Sequence, residues 1–418
     1  MSRPDVLIVG AGLAGLGCAL ELHSQGVRPL LLEASDGVGG RVRTDEHEGF
    51  LLDRGFQVLL EAYPECRRIL DYDDLDLRPF FPGADIWTGK EFARFVDPFR
   101  RPRDAFATLR ASVGTFPDKL RVTGLREEVR AGRARDVLVG PDVTALQDLE
   151  AKGFTSGMID AFFRPFFGGI LLDRTLSDSA RIFRYLFRMF SEGDTSVPAK
   201  GMGRIPAQLA RRLPEGSVRL GTRVDQVAPG KVRLDDGEEM AAEAVVVAVE
   251  GPEAARFLEG VPAPASKAVT CLHFASSRSP LGDPILVLNG EGTGPVNNLA
   301  VMSRVSPAYA PEGQELISVT CLGSPVVGDG DLEQEVRTQV EGWFGKEVEE
   351  WRHLRTYRIP HAQPGQAPGV LDPPERSVRV QDGLFVCGDH RETASLQGAL
   401  HSGRRAAREV LRQGEEGA

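Results

Sequence analysis

Apolar residues recur along this chain with two periods, and the change from one to the other marks its elements. Val6–Val9 is an unbroken apolar run of strand type. Residues 13–25 follow with apolar Leu16, Ala19, Leu20 and Leu22 at helical spacing, and Gly26 ends the helix. Residues 28–32 read as a second strand, closed by Glu33. Residues 50–53 predict a short strand and 63–70 a helix with Pro64 in its first turn. A hairpin around Gly89 is expected over 85–95. Residues 100–135 read as helical and strongly basic, and 142–152 as a helix capped by Thr144. Residues 154–172, FTSGMIDAFFRPFFGGILL, place five phenylalanines in a helix that Pro165 and Gly168-Gly169 should interrupt. The next helix, 177–190, should start at a Ser177 cap.

The second half is richer in strands. A turn at Gly201 and Gly203 leads into a helix with Pro206 in its first turn. Strands are expected at 218–220 and 224–227, with a small hairpin at 231–241 turning at Asp236-Gly237. The run AVVVAV at 244–249 is apolar throughout, as in a strand buried on both faces. Residues 270–275, 284–288, 297–302 and 315–321 predict an antiparallel sheet. An amphipathic helix at 332–344 precedes a strand at 347–360. Finally, 384–387 reads as a strand, and a helix runs from about Ser395 to Leu411.

The first strand–helix junction carries Gly10, Gly12 and Gly15 as G-x-G-x-x-G. Glycine lets this turn be tight and lets backbone approach a diphosphate closely. The N–H groups of Leu13 and Ala14 open the helix, where its dipole favours an anion. Glu33, with Ala34 beside it, stands where a carboxylate accepts from a ribose diol. This context predicts dinucleotide binding. The next stretch, G-V-G-G-R-V-R at 37–43, adds Gly40 and Arg41. A nicotinamide enzyme needs no such second glycine pair. Here the chain resembles the FAD-dependent amine oxidase superfamily, which includes protoporphyrinogen oxidases and carotenoid desaturases.

That resemblance implies an α/β fold. A Rossmann-like FAD-binding domain of the glutathione-reductase type would be discontinuous, formed by 1–78, 200–255 and 371–418. An α+β substrate domain would comprise 79–199 and 256–370, with a mixed or antiparallel sheet and a helical subdomain over about 98–195. The C-terminal block, G-D followed by A-S-L-Q-G-A-L-H-S-G, is close to the motif of plant- and cyanobacterial-type carotene desaturases. By that match Gly388 and Asp389 hold the ribityl or diphosphate region. Ser395 and Leu396 lie at the flavin O2 edge. Gly55, Phe56 and Gln57 pass beside the flavin ring, and the Val224 backbone meets the adenine. Gly398, Ala399 and Gly403 would keep the last helix thin enough to lie near the cofactor.

Composition narrows the picture. A chain of 418 residues can bury a large core. Its net charge of −10 argues against nucleic acid as a partner. Five scattered cysteines without C-x-x-C read as buried thiols of a reducing compartment, so no metal site is expected. No apolar run reaches the roughly 20 residues of a membrane span, and the first strand begins too early for a signal peptide. A cytoplasmic location is expected. The basic 100–135 region reads as a solvated face. It also suits contact with anionic lipid on the inner membrane face.

The phenylalanine cluster reads either as a kinked core helix or as an apolar channel wall. The resemblance favours the wall, which makes Phe163 and Phe166 substrate neighbours. Tyr357 and His361 join them, because the family's Y-x-x-x-x-P region lies over the flavin. No catalytic side chain is assigned. The chemistry expected is dehydrogenation of a hydrophobic substrate, a carotenoid or other isoprenoid, with hydride passing to flavin N5. The final acceptor is open between quinone and oxygen. Alternatives are an amine oxidase or protoporphyrinogen-oxidase-like enzyme, a carotene isomerase without net redox, and a non-enzymatic isoprenoid carrier. Ser395 stands where amine oxidases carry an aromatic residue, and no paired tyrosines suggest an amine cage.

Overall fold

A six-stranded sheet organises the chain. Its strand order is Val218–Arg219, Pro29–Leu32, Val6–Val9, Ala244–Val247, Leu384–Val386 and Arg379–Gln381. All neighbours are parallel except the last pair. Its central strands come from opposite ends of the sequence, and Val6–Val9 and Ala244–Val247 are buried throughout. That explains their unbroken apolar character. The computed structural model describes residues 4–104, 108 and 110–416.

Two helices cover one face, Leu13–Ser24 and Leu396–Glu416. They touch backbone to backbone. A Cβ on Gly403 would collide with the Ala14 carbonyl oxygen, and one on Gly17 would lie 3.3 Å from the Leu400 carbonyl oxygen. Gly398 is confined by the Thr393 carbonyl. These glycines therefore serve helix–helix and cap packing, not thinness toward the cofactor as the sequence suggested.

The substrate side holds a seven-stranded sheet in the order Arg352–Pro364, Ser266–Ser276, Glu315–Leu322, Val296–Val301, Leu286–Asn289, Gly83–Trp87 and Phe92–Val96. It is mixed: Leu286–Asn289 pairs in parallel with Gly83–Trp87, and the other pairs are antiparallel. Side chains alternate across it. Leu272, Phe274, Ile317 and Val319 pack outward with Leu332, Val336 and Val340 of the helix Asp329–Phe344. Cys271, His273 and Ser318 take the alternate positions.

The helical lobe departs from expectation in three places. Its basic stretch forms one helix, Phe116–Arg130, flanked by 3-10 turns at Pro102–Asp104 and Ala134–Leu138. Residues 105–107 and 109 of that stretch lie outside the described residues. The phenylalanine segment is not broken at Pro165 or the glycine pair. It runs through a π-helical turn, Ile159–Phe163, into the helix Arg164–Leu171. Pro165 sits in that helix's first turn, where its missing N–H costs nothing. The following helix is Ala180–Glu192, capped by Ser179. Ser177 instead donates to Asp173, at 2.6 Å.

The helix contact generates a paired prediction. Gly403→Ala should destabilise the protein by about 2 kcal/mol, since overpacked backbone cannot relax. Gly414→Ala on the same helix meets nothing within 4 Å and should be neutral or gain up to ~1 kcal/mol. Denaturant unfolding of both variants checks this.

Candidate functional site

The dinucleotide turn has the geometry its glycines require. Gly10 has φ +101°, and a Cβ there would lie 2.9 Å from the Ala248 carbonyl oxygen. Gly15 is pressed against the Gly10 carbonyl. Gly12 is different: its missing Cβ meets nothing within 4 Å, so that face is open to a ligand. Gly12 is also the N-cap of Leu13–Ser24 and supplies no side-chain acceptor. The first-turn N–H groups of a helix have no partner within the helix, and an anion suits them.

Glu33 is half-buried beside this turn. Its Oε2 accepts from the Ala11 N–H at 2.8 Å, and its Oε1 from the Ser35 N–H and Oγ–H at 2.9 and 2.7 Å. A carboxylate has about four acceptor sites, so capacity remains for a ribose hydroxyl. Ala34 next to it is exposed. Thr222 N–H donates to the Glu33 carbonyl at 2.8 Å, which brings the chain to buried Val224 at the start of Val224–Ala228.

Arg41 gathers the remaining motifs. Its Nη2 lies 2.8 Å from Asp389 Oδ1, and its Nη1 donates to the Ala362 carbonyl at 2.8 Å. Its own carbonyl accepts from Gln57 Nε2 at 2.8 Å. Burial works against the guanidinium charge, but Asp389 more than offsets this and raises its pKa. Gly40 packs 3.5 Å from the Gly12 Cα, measured from its absent Cβ. Gly388 has φ +151° and leaves space that the His390 ring fills. Gly55 lets the Ile359 side chain approach to 3.0 Å, and Phe56 packs edge-on against Phe80 at 6.0 Å. Gln57 Oε1, His361 Nδ1 and Gln363 Oε1 are buried without hydrogen-bond partners. Orphaned polar atoms of this kind next to Arg41 call for a ligand or water. Ser395 Oγ accepts from the Gly398 N–H at 3.0 Å, which caps the last helix, and half-buried Leu396 begins it.

A buried polar row supports the 53–57 segment, and the periodicity alone did not reveal it. Asp53 accepts from Thr44 Oγ1 at 2.5 Å, Tyr309 Oη at 2.7 Å and the Met202 N–H at 2.9 Å. Burial pushes its carboxyl up to about 6, against the pull of those donors. His273 Nε2 lies 3.1 Å from the Asp53 carbonyl, and burial lowers its pKa to about 4. Cys271 Sγ sits 3.3 Å from Ser318 Oγ. The signal was present as polar residues at alternate positions of T-C-L-H-F.

The substrate candidates separate. Phe163 is fully buried among Phe154, Phe162, Phe167 and Phe183, so it is core and not wall. Phe166 is half-buried and stacks on half-buried Phe162 at 5.4 Å, with Phe190 at 5.1 Å. The Tyr357 hydroxyl donates to Asp45 at 2.8 Å within an Asp45–Arg54–Arg355 cluster, which removes it from free contact with a substrate. His361 stays next to the Ala362 carbonyl that Arg41 holds. A tyrosine pair does exist, contrary to the sequence reading: Tyr63 and Tyr185 stack with centroids 6.4 Å apart. Both are buried, and the spacing leaves no slot for an amine between them.

One cluster has metal-like composition. Ligand atoms of Glu375, Glu392 and His401 lie within 4.8 Å of one another. Arg135 is 2.7 Å from Glu375, and Arg405 is 3.0 Å from Glu392, so guanidinium groups already occupy the cation positions.

Fold and site together define a flavin-dinucleotide oxidoreductase. The chain belongs to the flavin-containing amine oxidoreductase family, whose model matches residues 13–411. FAD is its cofactor. It is 24% identical over 386 residues to a coproporphyrinogen III oxidase of Propionibacterium freudenreichii, covering 76% of this chain and 72% of that protein. It is 28% identical over 350 residues to a carotenoid phi-ring synthase of Streptomyces griseus, covering 72% and 65%. A 15-cis-phytoene desaturase of Arabidopsis thaliana matches at 31% over 176 residues, 38% of this chain and 30% of that one. Among solved structures, a Methanosarcina mazei oxidoreductase superposes with TM-score 0.75 at 17% identity over 97% of this chain and 99% of that one. A putrescine oxidase gives 0.73 at 18% over 98% and 99%.

Two outcomes are expected. Glu33→Ala should weaken FAD binding by about 1–3 kcal/mol, the cost of an unmade ribose hydrogen bond, read by titrating apoprotein with FAD. Asp53 binds its proton more tightly folded than unfolded, so its contribution to stability is full at low pH. That contribution falls as pH rises from about 4 to about 6. Asp53→Asn should flatten that window in unfolding measured across pH.

Proposed function

We propose that this FAD-dependent oxidoreductase dehydrogenates a hydrophobic polyene or isoprenoid. Gly12, Leu13, Ala14 and Gly15 would take the diphosphate, with Gly10 and Gly40 shaping its approach. Glu33, Ala34 and Val224 would take the adenosine. Arg41, Gly388 and Asp389 would hold the ribityl–diphosphate region, and Gly55, Phe56, Gln57, Ser395 and Leu396 the flavin. Bound FAD supplies a two-electron hydride acceptor.

The observation that carries the substrate reading is the half-buried aromatic face of Phe162, Phe166 and Phe190. Such a face excludes water and orients an extended apolar chain by contact alone. His361, with Nδ1 unpartnered, is the neighbouring polar side chain that could fix a substrate end. The names of the carotenoid synthase and phytoene desaturase relatives agree with this reading. A tetrapyrrole substrate is the second reading, favoured by the length of the coproporphyrinogen oxidase match.

Anaerobic mixing of the holoenzyme with a carotene precursor, a reduced tetrapyrrole or benzylamine should bleach the flavin with the first only. Bleaching by the tetrapyrrole alone would move the second reading to first place. Phe166→Asp should abolish polyene turnover while circular dichroism and flavin content stay normal. Phe163→Asp should unfold the protein, because it buries an unpaired carboxylate.

A further inference from the structure

The lobe that carries the aromatic face also carries most of the exposed apolar side chains. Of eight exposed large hydrophobics among the described residues, Phe99, Phe116, Leu120, Val139 and Val143 fall within 99–143. Phe116 and Leu120 are 59% and 57% exposed, one turn apart on the helix Phe116–Arg130. Pro117 and Gly124 are also exposed on this helix, while Leu125 and Val129 pack inward. A solvated amphipathic helix would turn polar residues outward there. The first half of this helix turns apolar ones outward.

Charge accompanies the patch. Residues 99–143 hold ten Lys and Arg against six Asp and Glu, net +4, in a chain whose total is −10. Arg126 lies over the Phe99 ring, 4.0 Å from its centroid. We infer that this face docks on a phospholipid surface rich in anionic headgroups. Phe99, Phe116 and Leu120 would enter the interface, and the surrounding cations would meet phosphates. A second copy of the chain suits the face less, since a symmetric pair sets like charges against each other.

The patch and the aromatic face are linked. Arg126 and Arg130 donate to the Ser191 carbonyl at 3.4 and 3.3 Å. Ser191 follows Phe190, whose ring packs on Phe166. The inference holds for any apolar substrate and does not depend on the polyene reading.

The test is co-sedimentation of the holoprotein with phosphatidylcholine vesicles, with and without phosphatidylglycerol. Binding should require phosphatidylglycerol and fall at high salt. The double variant Phe116→Ser, Leu120→Ser should bind at least about tenfold more weakly, with flavin content and melting temperature unchanged. In a second variant, Phe116→Trp, tryptophan emission should shift to the blue on adding anionic vesicles. Wild-type protein left in the supernatant, equal binding by the serine variant, or no emission shift would each overturn the inference. A self-association lost in the serine variant, with no vesicle binding, would assign the face to a second copy and overturn it too.

Discussion

The contact between Arg41 and Asp389 joins the two ends of the chain where the cofactor must lie. Arg41 follows the second glycine pair and Asp389 follows the last central strand, 2.8 Å apart. The same guanidinium reaches the Ala362 carbonyl of the substrate sheet, and the Arg41 carbonyl holds Gln57. Four segments distant in sequence thus meet on one residue. A half-buried ion pair adds little net stability by itself. Its contribution here is positional, since loss of either partner leaves a charge facing the diphosphate region uncompensated.

Features with local causes were legible in the sequence. The glycine turn, Glu33 and the Thr144 cap each follow from backbone constraints within a few residues. Features that depend on distant pairing were not. Leu286–Asn289 lies parallel to Gly83–Trp87, a register no periodicity encodes. Leu59–Leu60, Leu77–Pro79 and Thr195–Pro198 form a small sheet from strands too short to carry a pattern. The phenylalanine segment shows the limit most clearly. The π turn at Ile159–Phe163 inserts an extra residue. That rotates the ring positions by about 100°, so spacing alone could not tell core Phe163 from half-exposed Phe166. Tyr63 and Tyr185 likewise stack across more than a hundred positions.

Buried polar groups divide between support and availability. Asp53, Tyr309 and Thr44 satisfy one another beneath the segment that leads to Gln57. Gln57, His361 and Gln363 each keep an atom unsatisfied on the ligand side. A polar network closed on one side and open on the other is rigid where it supports and reactive where it faces the cofactor.

The small three-stranded sheet has a consequence for how such enzymes diversify. Leu77–Pro79 and Thr195–Pro198 pair antiparallel, Leu77 opposite Pro198 and Pro79 opposite Ser196. Everything between them, hairpin and helical lobe together, leaves and re-enters the cofactor domain through one doorway two strands wide. A loop closed at its base adds only a slowly growing entropy cost with length. The enclosed segment can therefore lengthen, shrink or be exchanged as a cassette without re-threading the parallel sheet. Selection can rework the substrate-facing surface while the flavin machinery is inherited intact.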